Sequence, residues 1–353
     1  QIVKHVFDYA IQTGLCEREA LAASLSVARD IAPTLTFEKY ALLLMDGDTV
    51  PTTEAITQSI KTLETRPDLG AVVVNEIPYI KGGDYFATWR LLRSFQRNKL
   101  MSAFALSDRT LVLTGRFAMV RAEILLQVGV ISRIRKDFLQ TKKLHIPLLT
   151  GDDKPTWLEV LRRGYGMTYL PHAYVYPIEV APPDKGFLSG VVPLTARYSG
   201  NMARANLHAD AWRGTKGKIH FAYGLLDQRI SMWTSLLTPL ALIYLLAFED
   251  FRLFIILLTY TVTIKHIQAM AISYLSGHYD PRFPYLMLFD QIVQSAVKIR
   301  AFAYLHQQAW NNQAISAKIG LDEEILNKSS RRTLLLRVAF FGICAGYALV
   351  LAR

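Results

Sequence analysis

Two pairs of carboxylates stand out by their position. In LLLMDGDTVP (42–51) an apolar run ends in Asp46 and Asp48, one glycine apart, and in LLTGDDKPTW (148–157) a second apolar pair runs into Asp152 and Asp153. At the C-terminal end of a parallel strand, acids one residue apart can face the crevice where ligands bind. A divalent cation (Mg2+ or Mn2+) relieves their repulsion, and magnesium-type sites use one or two carboxylates plus substrate phosphates. Asp46 and Asp48 are therefore candidate metal ligands at a diphosphate site; the alternative is a solvated turn ahead of Thr49 and Pro51. One acid of the second pair could act as a general base, its neighbour's charge and partial burial raising its pKa. The same pair can cap the helix that follows, since Asp is favoured there, and the two roles are compatible.

The elements that must hold these acids alternate in the first half of the chain. Segments 22–31, 53–70 and 89–106 have helical spacing, and TWLEVLRRG forms another helix. Segments 40–45, 70–77, 109–115 and 166–176 have strand character. The alternation predicts an α/β domain with a largely parallel sheet. The second half is different. Residues 232–248 carry no charge, 251–275 follow after a short acidic break, and 337–352 form a third, shorter apolar run. The first two are long enough to span a hydrocarbon core of ~30 Å. Lys and Arg residues before the first and last spans place the α/β domain on the cytoplasmic side. Residues 284–312, apolar with aromatics but carrying Asp290, Lys298 and Arg300, suit a helix lying in the interface.

Composition narrows the partners. The net charge of +11 favours anionic ones. Because the basic residues flank apolar segments, they point to membrane lipid and an acidic substrate, with no nucleic acid. With two cysteines, Cys16 and Cys344, no disulfide framework is expected, which fits a reducing compartment. The chain begins at Gln1 with no signal peptide, and an upstream segment is expected. Lys265 and His266 sit mid-span in the second apolar run, where an ionisable group is costly and usually faces a polar path. Lys265 is expected either to line that path or to pair with an acid. Arg116 in LTGRF could hold a carboxylate bidentately or be an ordinary structural arginine.

A DxD, an acid pair before a helix, a basic–aromatic motif and then interfacial and membrane helices resemble the processive glycosyltransferases of family 2, which include cellulose and hyaluronan synthases. Within that family, QRNKLMSAFALSDRTLVLTGR, TGDDKPTW, RYSGNMARAN, LLDQRISMWTS and SGHYDPRFPYLMLFDQIV are most similar to the mannuronan synthase (alginate polymerase) catalytic subunits, over roughly residues 36 to 352. The DxD and GDD pieces are shared across the superfamily, whereas RYSGNM, DQRISMWT and SGH are more specific. The resemblance implies an α/β GT-A-type glycosyltransferase domain joined to interfacial and transmembrane α-helices. The expected divisions are a catalytic domain over 1–190, interfacial helices over 191–230, two transmembrane helices over 231–275, an interfacial helix and loop over 276–327, and a last transmembrane helix over 328–353.

By the same resemblance, Asp46 and Asp48 hold the metal and the nucleotide diphosphate, Asp153 is the catalytic base and Asp152 its neighbour. Arg197 and Tyr198 stand at the Arg-Trp of the QxxRW motif, where the Arg meets the diphosphate and the aromatic ring stacks on the acceptor sugar. Two departures are visible, Leu194 at the Gln position and Tyr198 for Trp. Trp157, Arg116 and Lys265 are expected on the acceptor and polymer side, and the family's upstream base-binding aspartates find no match in residues 1–40. The implied reaction is inverting polymerisation of GDP-mannuronic acid into polymannuronate at the bacterial inner membrane, with passage through the membrane helices. A synthase using another sugar nucleotide, or a non-catalytic transporter or scaffold, are the alternatives. No cyclic di-GMP signature occurs in the chain, so that regulation is expected in a partner subunit of the secretion complex.

Overall fold

The computed structural model describes residues 40–81, 84–127, 130, 138–140, 145–147, 153–180, 186–205, 218–248, 251–305 and 320–351. The predicted helix at 22–31 lies outside them.

The apolar run Ala41–Leu44 forms strand β1, and the acidic turn leads into the short β2, Thr49–Pro51. Helix α1, Thr53–Thr65, is started by Thr52, whose side-chain oxygen accepts the Ala55 N–H at 3.1 Å. The same hydroxyl donates to the Tyr174 carbonyl at 2.8 Å, which ties the cap to the sheet. Ala55, Ser59 and Leu63, spaced by four, form the buried stripe, and Pro67 follows the helix end. Strand β3, Leu69–Glu76, is apolar on both faces until its last two residues, as a central strand should be. After β4, Tyr79–Lys81, comes the long helix α2, Asp84–Ala105. β5, Ala118–Arg121, runs directly into the single-turn α3, Ala122–Leu125. A small antiparallel pair, β6 (Phe138–Gln140) and β7 (His145–Pro147), precedes α4, Asp153–Arg162, and then β8, Gly166–Val180.

The sheet is mixed, which corrects the largely parallel expectation. Its order is β1-β5-β3-β8-β2, with β4 also on β8. Among the described strands β3 and β4 run parallel to β8, whereas β5 is antiparallel to both β1 and β3, and β2 is antiparallel to β8. Segment 109–115, expected as a strand, makes one isolated bridge at Arg109 and is otherwise irregular. Beyond that bridge to β8 the segment pairs with no strand among the described residues, while Leu111 and Leu113 stay in the core.

In β8 the register jumps: Val74 pairs with Leu170 but Asn75 with Tyr174. Pro171, His172 and Ala173 bulge out, and the Asn75 side chain fills the gap by donating to the Pro171 carbonyl at 3.0 Å. A bulge bends its strand, which carries Tyr176–Val180 past the end of β3; β2 pairs with Val175–Pro177 and β4 with Ile178–Val180. Packing at the other end of β3 is tight. A Cβ on Gly70 would lie 2.6 Å from Tyr165 Cβ and 2.7 Å from Ile124 Cδ1. Gly70→Ala is therefore expected to cost about 1–3 kcal/mol by overpacking, read as a lower thermal unfolding midpoint.

The described residues of the second half are mainly helical: α5, Phe187–Ala205; α6, Lys218–Thr234; α7, Leu237–Ala247; α8, Phe251–Ser276; α9, Phe283–Phe289; α10, Ser295–Ala303; and α11, Gly320–Leu351. Two stretches, Ala222–Ala247 and Phe251–Ser276, are long and apolar enough to cross a membrane by length and composition. The third expected span falls on α11.

α6 and α7 are separated because Pro239 has no N–H to offer the Ser235 carbonyl. That carbonyl instead accepts the Gln291 side-chain amide at 3.0 Å. Gln291 lies in a five-residue π-helical turn, Asp290–Gln294, that joins α9 to α10 in one rod. α9 packs on α2 and α8, and α10 on α5, α6 and α11.

Candidate functional site

The strand ends gather the candidate residues at one edge of the sheet. Leu44 pairs with Ala118 and Val73 also pairs with Ala118, so the turn after β1, the loop before β5 and the end of β3 share that edge. Asp46 and Asp48 are both exposed there. A side chain at Gly115 would begin 3.5 Å from each Asp46 carboxylate oxygen, so the glycine lets the 112–117 loop lie directly on that acid. The Asp48 carbonyl accepts the Ile178 N–H at 2.8 Å, which fixes the turn to bent β8 beside Glu179.

Two exposed carboxylates on a short turn are hard oxygen donors of the kind a Mg2+ or Mn2+ ion takes together with substrate phosphates. Nothing lies within 4 Å of a Cβ placed at Gly47 between them, so the turn is open. Among the described residues no cluster of three or more His, Cys, Asp or Glu side chains forms a closed metal cage. The acids fit a cation that shares its shell with substrate.

Behind the turn runs an alternating chain of charges that inspection of the sequence did not reveal. Arg97 pairs with Glu76 at 2.7 Å, Arg116 with Glu76 at 3.5 Å and with Glu179, and Arg90 grips Glu179 with two bonds of 2.8 Å. Glu76 is 0% exposed. Burial alone would raise the Glu76 and Glu179 carboxyls. The guanidinium charges outweigh it, and both are held below the usual glutamate value. Three guanidiniums against two carboxylates leave one positive charge in excess. The excess faces Tyr198 on α5, a residue 44% exposed, whose ring lies 5.8 Å from the Arg90 guanidinium and 5.2 Å from that of Arg197. The network could have been suspected from two signals: a lone acid ending each of two apolar strands, and Arg90 and Arg97 seven apart on one helix.

The other expected residues are placed as follows. Asp153 is the first residue of α4, half-buried, and Asp152 lies outside the described residues. Lys154 beside it is buried, its ammonium 5.8 Å from the Trp157 ring and without a hydrogen-bond partner among the described residues. Burial pushes the Lys154 ammonium down to about 8, against the opposing pull of Asp153. Trp157, expected on the acceptor side, is instead a core residue, 1% exposed, with its indole N–H donated to the Thr110 carbonyl at 3.0 Å. A large ring whose one polar atom is satisfied favours burial.

Leu194, at the position of the motif's Gln, packs against the core cluster of Trp89 and Phe283, which explains an apolar residue there. Lys265 on α8 donates to Gln268 at 3.3 Å and lies within electrostatic reach of Asp290 in the π turn. Asp290 in turn accepts the Trp89 indole N–H at 2.7 Å, which joins the α9–α10 rod to α2.

The profile of the Glycosyltransferase like family 2 matches residues 18–199. Two curated relatives, both called Glycosyltransferase alg8, align over 308 residues. That of Pseudomonas syringae pv. tomato is 30% identical across 87% of this chain and 62% of its own length. That of Azotobacter vinelandii is 31% identical across 87% and 61%. The chain thus spans about three-fifths of the length of these relatives.

Proposed function

Because the chain belongs to the Glycosyltransferase like family 2, we propose that it polymerises a sugar nucleotide by inverting transfer at a membrane, with GDP-mannuronic acid as donor and β-1,4-linked polymannuronate, the alginate precursor, as product. The observation that carries the reading is the ring of contacts from Asp46 through Gly115 and Arg116 to Glu179, Arg90 and the exposed Tyr198. It puts a carboxylate pair suited to a metal diphosphate next to a net-positive, aromatic surface suited to an anionic sugar. The likeness to the two alg8 glycosyltransferases supports the choice of product.

In this reading Asp46 and Asp48 hold a divalent cation, whose charge supports the departing diphosphate. Arg197 faces the same phosphates. Asp153 takes the proton from the acceptor hydroxyl as its oxygen attacks the anomeric carbon from the face opposite the diphosphate, and Asp152 is the acid beside it. Tyr198 stacks on the acceptor sugar, with Arg116 and its ion partners giving the surface its positive charge, and Trp157 supports α4 from the core. Lys265 lines the route along which the polymer leaves through the spans. The α/β part faces the cytoplasm of a bacterial inner membrane, and a cyclic di-GMP-binding partner subunit supplies regulation.

The test is product formation by membranes holding the full-length protein and its partner, supplied with GDP-mannuronate and magnesium. Polymer degraded by a mannuronate lyase is the expected result. Polymer from a UDP-sugar alone would keep the mechanism and overturn the substrate. Asp46→Asn or Asp48→Asn is expected to lower the rate at least about 100-fold, since even the residues that support metal ligands matter by 10–100-fold. The loss should shrink as the Mg2+ concentration rises.

A further inference from the structure

Away from the sheet, four helices border a groove of about 520 Å³. Trp233 and Leu240 line it from α6 and α7, Ile299, Arg300 and Tyr304 from α10 and its end, and Phe341 from α11. The Trp233 and Phe341 rings meet at 5.2 Å between centroids. Among the described residues Arg300 is the one charged group in an otherwise mostly apolar lining. We propose that this groove binds one acyl chain of an anionic phospholipid of the surrounding bilayer, with Arg300 engaging its phosphate. The inference rests on the membrane reading above.

Size, polarity and charge point to that occupant. A helix with its side chains is about 10 Å across, so one would fill 520 Å³ within about 7 Å, little more than a turn. A narrower, wholly apolar chain fits better. A sugar polymer would leave its hydroxyls against an apolar wall without partners. Trp233 and Tyr304 are amphipathic rings of the kind that sit at headgroup level. The groove-lining stripe of α11, Leu334, Val338 and Phe341, continues one turn earlier to Arg331, which is exposed. Lys328 and Arg332 flank it, and residues 328–337 contain no acid. The surface around the groove is therefore matched to a negative headgroup.

The experiment uses the full-length protein in vesicles of phosphatidylcholine doped with brominated phosphatidylglycerol or brominated phosphatidylcholine. Bromine on the acyl chain quenches nearby tryptophan, and subtracting a Trp233→Phe variant isolates the Trp233 signal. The expected result is Trp233 quenching by the anionic lipid with about five-fold higher apparent affinity, the effect of roughly one cation at the surface. Arg300→Gln should bring that ratio to about one, and Arg300→Lys should keep most of it. Equal quenching by both lipids in the unaltered protein would mean ordinary lipid exposure and overturn the proposal. No Trp233 quenching in protein that floats with the vesicles would mean that a protein segment fills the groove, which also overturns it. Protein that fails to float would instead refute the membrane reading, and the lipid site with it.

Discussion

Asp153→Asn is expected to abolish most polymer formation, lowering turnover by about 10²–10⁴-fold while leaving the protein folded. The size follows from the role. Without a base, the acceptor hydroxyl must lose its proton to water during attack. The substitution is informative because Asn starts helices about as well as Asp. If Asp153 only served the start of α4, both activity and stability would survive the change. A variant with unchanged turnover in the lyase-sensitive polymer assay would remove Asp153 from the mechanism.

Glu76→Gln is expected to destabilise the protein by about 3–5 kcal/mol, because removing one partner leaves Arg97 and Arg116 facing a neutral amide in the interior. The lower end applies if Arg97, whose side chain keeps 31% of its exposure, recovers water. The Glu76 carbonyl accepts from Ser94 at 2.7 Å and from Asn98 at 3.1 Å, so the backbone stays pinned and the effect should come from the charge. Combining Glu76→Gln with Arg97→Met should cost less than the sum of the two.

The pH dependence has a definite sign. Glu76 and Glu179 are held below the ordinary glutamate value of 4.5. Their contribution is present above that value and is lost as pH falls through the lower folded values. The Glu76→Gln protein should therefore show a flatter acid limb in a plot of unfolding midpoint against pH. An equally steep limb in both proteins would place the acid sensitivity elsewhere.

How much of this was legible in the sequence depended on range. Local features were readable: the apolar run into Asp46, the helix start at Asp153, and two apolar stretches of spanning length. Each is written in neighbouring residues. The Arg97–Glu76–Arg116–Glu179–Arg90 chain joins residues as far apart as 76 and 179, and its pairing exists only once the sheet order is known. Sheet direction was misread because helix–strand alternation predicts parallel crossovers. β5 enters instead from an irregular segment and runs against both neighbours. Trp157 was misplaced because an aromatic residue near an acid pair suits a sugar platform as well as it suits a core. Its Thr110 partner, which decides the matter, is 47 residues away.

The π turn at Asp290–Gln294 has one more consequence. Its first two residues face different bodies: Asp290 takes the Trp89 indole on α2, and Gln291 caps the carbonyl that Pro239 frees between α6 and α7. Each residue of a helix turns it by about 100°. Insertion or deletion of a single residue here would rotate α10 against α9 by that angle and break one contact to keep the other. The segment's length is thus under as much constraint as its side chains. Natural variation in this stretch should consist of substitutions, with gaps confined to the loops on either side of the rod.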